Sequence, residues 1–200
     1  YRNVGDTSKV TGTALVPLLA TKIEAGGHHS CGLQSDGTIK CWGYNINGQL
    51  GDGSTTDSLT PVTVSNISSP AQITAGDLHN CARFSDGSVK CWGRNNNGQL
   101  GDNSTTDRST AVSVSGSDNF TDIAGGISHT CGVLGGGGVK CWGYNGYGQV
   151  GDNSTSRRET PVAVTGLSGV QKIAAGEHYS CALLTDGTVK CWGKNDVGQL

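Results

Sequence analysis

The sequence predicts an all-β fold of β-propeller type, and three observations carry that prediction. The 200 residues repeat with a period of 50 and no insertions, so that Cys31 and Cys41-Trp42-Gly43 recur at Cys81 and Cys91-Trp92-Gly93, at Cys131 and Cys141-Trp142-Gly143, and at Cys181 and Cys191-Trp192-Gly193. A fixed period of roughly 20 to 50 residues marks units that cannot bury an apolar face alone and must stack. Within each period the apolar residues form short β-branched runs between turn signals, as in Val62-Thr63-Val64, Ile73-Thr74-Ala75-Gly76 and Ser88-Val89-Lys90-Cys91-Trp92. No window of about eleven residues has helical spacing.

In chain order, one repeat holds a strand around Ile23, a second from His29 to Gln34, a third from Thr38 to Trp42 and a fourth around Val62. Four short antiparallel strands per unit are the content of a propeller blade. The repeats fall at about 23–72, 73–122, 123–172 and 173–200, and the last stops before an outer strand. Residues 1–22 form an N-terminal extended segment. In it Thr13-Ala14-Leu15-Val16-Pro17-Leu18 loosely matches Thr60-Pro61-Val62-Thr63-Val64, which makes it a candidate closing or donor strand for the unfinished fourth blade. The expected ring is therefore incomplete or completed between molecules, and homo-oligomerisation through exchange of this strand is the corresponding partner expectation.

Three motifs give the repeat a resemblance. Ala-Gly-x-x-His-x-Cys at Ala25 to Cys31, Asp-Gly-x-Val-x-Cys-Trp-Gly at Asp86 to Gly93, and Asn-x-x-Gly-Gln-Leu-Gly at Asn45 to Gly51 resemble the regulator of chromosome condensation repeat family, and the match runs from Ile23 to Leu200. The resemblance implies a propeller of four-stranded blades, most often about seven. The paired cysteines look like the secreted bacterial branch of that family. One such relative inhibits β-lactamases and the nuclear member promotes nucleotide exchange, but the matched motifs belong to the scaffold and carry neither activity over.

Cys31 to Cys41 reads as a hairpin with Ser35-Asp36-Gly37 as its loop, a register that sets Cys31 opposite Cys41. Directly opposed, non-hydrogen-bonded residues have Cα atoms about 4.5 Å apart, within reach of a disulfide. The same register predicts Cys81–Cys91, Cys131–Cys141 and Cys181–Cys191. Zinc is the rival reading, with His29, Cys31 and Cys41 on one hairpin face, but no Cys-x-x-Cys knuckle is present and each blade would need a fourth ligand. Disulfides imply an oxidising compartment, hence secretion or a cell surface.

Trp42, Trp92, Trp142 and Trp192 lie on the hairpin face opposite the cysteines, over small residues such as Ser30 and Gly32, and are expected in the core between blades. His29, His79 and His129 recur until Tyr179 takes their place, a drift that fits a buried ring bonded to backbone better than a catalytic or metal-bound one. No catalytic set assembles, and neither a metal nor a cofactor is expected. The loops Asp52 to Asp57 and Asp102 to Asp107 offer oxygens at alternating positions, but Arg157 replaces the last carboxylate in the third copy of the loop, so turn bonding is preferred over calcium. Gly135 to Gly138 stands in for an Asp-Gly hairpin turn.

A net charge of -2 without basic runs removes the electrostatic case for nucleic acid, and no apolar stretch is long enough for a membrane helix. With Met 0, the first residue is expected to begin a processed product or an excised portion. What varies among the copies clusters after Trp-Gly and at one earlier position. Tyr44, Arg94, Tyr144, Tyr147 and Lys194, with His28 and His178, are the candidate binding face. The function expected is a non-enzymatic extracellular module that binds a protein or other macromolecule, and the alternative is a structural subunit of a head-to-tail assembly.

Overall fold

The computed structural model describes residues 18–116 and 119–200. The candidate donor strand at Thr13 to Leu18 therefore lies, apart from Leu18, outside the described residues. The rest is strand and turn. The first blade comprises β1 (Ala20–Ala25), β2 (His29–Gln34), β3 (Ile39–Gly43) and β4 (Ser58–Thr63), and the second β5 (Gln72–Ala75), β6 (His79–Arg83), β7 (Val89–Gly93) and β8 (Arg108–Ser113). The third holds β9 (Phe120–Gly125), β10 (His129–Leu134), β11 (Val139–Gly143) and β12 (Arg158–Ala163), and the fourth β13 (Val170–Ala175), β14 (Tyr179–Leu184) and β15 (Val189–Gly193). Strands pair antiparallel in chain order, giving three four-stranded sheets and a fourth of three strands. The sheets follow one another as propeller blades but are not closed into a ring.

Turn chemistry explains the central hairpins. Gly37, Gly87, Gly137 and Gly187 take φ of 80°, 81°, 76° and 86°, which side chains rarely adopt. Asp36 Oδ1 accepts the Thr38 amide at 2.9 Å, and Asp86 and Asp186 repeat the bond. This turn sets the register Cys31 opposite Cys41, Ser30 opposite Trp42 and His29 opposite Gly43, copied in the other three blades. The four expected disulfides are all formed within their own hairpins, each spanning ten residues.

Alternation then splits each sheet into two faces. Cys31, Leu33, Ile39 and Cys41 of the first blade bury against Ile73, Ala82 and Trp92 of the second, and equivalent clusters join the later blades. The core thus lies between blades. At the open ends it is exposed: Ile23 is 67% accessible where its equivalents Ile73 and Ile123 are 3%. Trp92 and Trp142 are fully buried between described blades, whereas Trp42 and Trp192, in the first and last of the described blades, are only half-buried.

One set of hydrogen bonds fastens each junction. The Gln49 carbonyl accepts the Trp92 indole N–H at 3.0 Å and the Asn80 side-chain amide at 2.8 Å, both from the next blade. The Gln99 carbonyl takes Trp142 and Thr130, and the Gln149 carbonyl takes Trp192 and Ser180. Gly51, Gly101 and Gly151, with φ of 69°, 69° and 78°, leave room for these indoles: a Cβ on Gly101 would lie 2.8 Å from Trp142 Nε1.

Two stability effects follow from this packing. Gly101→Ala is expected to cost at least about 1–2 kcal/mol from the left-handed backbone alone, before the indole is displaced, as read by denaturant unfolding. Replacing Cys81 and Cys91 together by serine is expected to cost about 2–3 kcal/mol in the same experiment while the strand signal in far-ultraviolet circular dichroism persists. An unchanged midpoint in either case would sink the corresponding account.

Candidate functional site

The β1–β2 and β3–β4 loops lie at the same end of each sheet, and one backbone bond ties them together. The Tyr44 amide donates to the His28 carbonyl at 3.0 Å, Arg94 to Leu78 at 2.9 Å, Tyr144 to Ser128 at 2.8 Å and Lys194 to His178 at 2.9 Å. The two variable patches seen in sequence are therefore one surface. All four blades contribute to it.

Buried asparagines shape its loops. Asn45 Oδ1 accepts the Leu50 amide at 2.8 Å while its Nδ2 donates to the Ser54 and Thr56 carbonyls, and Asn95 and Asn145 recur in the same setting. Asp57 Oδ1 accepts the Asn45 amide and Asp107 Oδ1 the Asn95 amide, each at 2.7 Å, so these carboxylates serve the turns as expected. Asp102 and Asp152 meet Arg108 and Arg158 at 2.7 and 2.6 Å. Burial works against ionisation of both acids. Hydrogen bonds from Ser104, Arg108 and Asn95 for Asp102, and from Arg158, Ser154 and Asn145 for Asp152, outweigh it and hold each carboxyl below its usual range.

Four of the seven candidate binding residues meet at the third junction. Tyr144, Tyr147 and His178 form a triangle with ring centroids 6.1, 5.8 and 5.1 Å apart, and Lys194 Nζ lies 5.3 Å from the Tyr147 centroid. Lys194 also pairs with Asp196 at 3.1 Å, and that hydrogen bond raises its pKa. Rings this close leave no space between them for a ligand, so the group is a self-packed knob whose most exposed ring, Tyr147, is 46% accessible. His28 and Tyr44 make a separate edge contact at 6.1 Å in the first blade, and Arg94 stands beside Leu78 in the second. The structure does not bring these three to the knob.

The repeated histidines lie beneath this surface. His29, His79 and His129 are buried, and each Nε2 meets a side chain of the next blade: Asn80 at 2.9 Å, Thr130 at 2.9 Å and Ser180 at 3.0 Å. The partner is thus a neighbouring side chain, where the sequence pointed to backbone. The reason is that Asn80, Thr130 and Ser180 spend their donors on the glutamine carbonyls and have acceptors to offer. Each ring is therefore an Nε2–H donor with its Nδ1 a buried lone pair. Gly76 makes room, since a Cβ there would lie 2.3 Å from His79 Cε1, and Tyr179 fills the equivalent slot over Gly176. The residues at 80, 130 and 180 escaped the sequence reading, although Ser, Asn, Thr and Ser at 30, 80, 130 and 180 can all hydrogen-bond.

Two models of the regulator of chromosome condensation (RCC1) repeat match the chain, one at residues 20–49, 71–99, 120–149 and 170–199, the other at 36–83, 86–133 and 137–183. Human WBSCR16 is similar at 24% identity and a TM-score of 0.79, over 88% of this chain and 48% of that one. Yeast RCC1 (Prp20), crystallised with Kap60, is similar at 22% identity and a TM-score of 0.77, over 86% of this chain and 43% of that one. The ectodomain of the Physcomitrella patens receptor kinase CR4 follows at 24% identity and 0.62, over 89% and 42%. The chain spans less than half the length of these structures. At such identities the likeness is one of fold.

The buried histidines generate a pH dependence. Burial first, then the charges of His129 and His29, lowers the His79 pKa to about 3, and burial followed by His178 lowers His129 to about 4. The unfolded chain takes up these protons near pH 6.5, so stability is complete above that value and is lost as pH falls toward 3. The urea midpoint is expected to drop steadily between pH 7 and pH 4, with a shallower drop in His79→Gln. Identical pH profiles for the two proteins would show that His79 is not responsible.

Proposed function

The chain belongs to the regulator of chromosome condensation (RCC1) repeat family, and on that premise we propose that it is a non-enzymatic module that binds another macromolecule, most simply a protein, in an oxidising extracellular compartment. One observation carries the reading. Positions that vary between otherwise matching repeats converge on a single loop surface, and at the third junction they supply Tyr144, Tyr147, His178 and Lys194 in mutual contact. Tyrosine is over-represented among residues that dominate binding, and a ring already held by neighbours loses little entropy on association. The yeast relative supports a protein partner, being crystallised with Kap60 and described for its binding to Gsp1p and histones. All eight cysteines are consumed in disulfides, which supports the oxidising compartment. The repeated histidines face scaffold side chains, which supports a non-catalytic role.

A second reading is a structural subunit of a homo-oligomeric extracellular assembly, in which a strand of another copy pairs with the outer edge of β15, an edge that no strand among the described residues covers. Mass in dilute solution separates the two. A monodisperse monomer belongs to the binding module, and growth with concentration belongs to the assembly.

The binding surface itself is tested by affinity capture from the native surroundings with three immobilised proteins: the wild type, the double variant Tyr44→Ala with Tyr147→Ala, and Asp186→Asn on the opposite end. A captured protein is expected to bind the loop variant at least about tenfold more weakly and Asp186→Asn equally well. The reverse pattern would place the surface elsewhere.

A further inference from the structure

Position 44 of the repeat is taken by Tyr44, Arg94, Tyr144 and Lys194, and in every copy its amide is fixed to the carbonyl of position 28. The first three therefore form a row across successive blades. Arg94 is the centre of that row, in a blade packed against another on either side.

Every other described arginine is engaged within the chain. Arg83 donates to Gln72 Oε1 and to the Phe84 carbonyl, Arg108 and Arg158 pair with Asp102 and Asp152, and Arg157 pairs with Glu159. The half-buried Arg94 side chain meets no acceptor among the described residues. Lys194, at the same position of its repeat, is neutralised by Asp196 two residues on, whereas the residue two on from Arg94 is the uncharged Asn96. The carboxylate of the adjoining loop is already spent, since Asp107 Oδ1 accepts the Asn95 amide and Oδ2 the Asn47 side-chain amide at 2.8 Å. The flanks of the row are aromatic and held in place. Tyr44 lies edge-on to His28 at 6.1 Å, and Tyr144 lies 6.1 and 5.8 Å from Tyr147 and His178. Neither tyrosine hydroxyl bonds a described residue.

We infer that the row Tyr44, Arg94 and Tyr144 receives a short peptide segment in which the side-chain carboxylate of an aspartate or glutamate is bordered on each side by an apolar residue. The inference rests on the binding-module reading and names the chemistry of its partner. The planar fork of Arg94 takes the carboxylate through two parallel N–H···O bonds, and the apolar neighbours cover the two tyrosines. Arginine and tyrosine are the residue types that dominate binding energy at such surfaces. A phosphate would bring a second negative charge, for which the row holds no second cation, Lys194 being paired with Asp196.

Panning the intact chain with a phage-displayed library of random peptides, then titrating the selected sequence as a synthetic amidated peptide, tests the site. The selected sequences are expected to carry an aspartate or glutamate between apolar residues. Arg94→Ala in the protein and glutamine for the acid in the peptide are each expected to weaken binding at least about tenfold, and the two together no more than either alone. Arg94→Lys is expected to recover only part of the loss, because an ammonium is a point charge without the fork. Failure to select any peptide, selected sequences without an acid, additive losses, or tighter binding when phosphoserine replaces the acid overturns the proposal. Neutral peptides weakened by Tyr44→Ala and Tyr144→Ala but not by Arg94→Ala overturn the carboxylate and leave the loop-surface reading standing. Peptides indifferent to all three substitutions count against both.

Discussion

The shared glutamine carbonyl is the contact on which the rest of the arc depends. Gln49, Gln99 and Gln149 each accept an indole N–H and a side-chain donor from the following blade. Trp92 and Trp142 are fully buried, so without that acceptor each would hide an unpaired N–H, at a cost of about 1–3 kcal/mol. The glutamine side chain fixes the carbonyl in turn, for Gln49 Oε1 accepts the Asn47 amide at 3.0 Å, two residues back. The loop that presents the acceptor is thereby locked from within. Donor and acceptor lie 43 residues apart, so a length change anywhere between Gln49 and Trp92 has to be absorbed in a loop.

Two kinds of stabilisation act at different ranges. The disulfide holds each central hairpin locally, joined in the first, second and fourth by the Asp-Gly turn and in the third by a glycine turn. Stacking is non-local and supplies the apolar burial, since every core cluster draws on two successive blades. A chain with 34% hydrophobic residues and 33 glycines has little apolar surface per blade to bury, so stapling each hairpin reduces the entropy that stacking has to overcome. This is the nearest-neighbour energetics of repeat proteins, and half-buried Trp42 and Trp192 are its end effects.

Most of the scaffold was legible because its determinants are local. The hairpin register followed from the position of Asp36-Gly37, and with it the disulfide pairing and the face taken by Trp42. The histidine partner was not legible in the same way. His79 and Thr130 lie 51 residues apart, and their contact depends on how one blade rotates against the next, which no spacing within a repeat encodes. The knob had the same difficulty. Tyr144, Tyr147, His178 and Lys194 could each be singled out by their variation, yet His178 joins the tyrosines only because successive blades place position 28 of one repeat beside positions 44 and 47 of the repeat before it.

The same distinction explains why the scaffold tolerates variation at the loop surface. At positions 28 and 44 the fold uses only the main chain, an amide donating to a carbonyl, which His, Leu or Ser at the first and Tyr, Arg or Lys at the second supply equally well. One residue along, at 29 and 79, the ring itself bonds the next blade and lies against Gly26 or Gly76, where a Cβ would collide with it. Side chains freed from the fold can diverge at no cost in stability, and on a rigid support they diverge in a constant geometry. Where divergence has brought aromatic residues together, they order one another. On the proposed binding reading, a surface built this way takes its position from the constant residues and its selectivity from the variable ones.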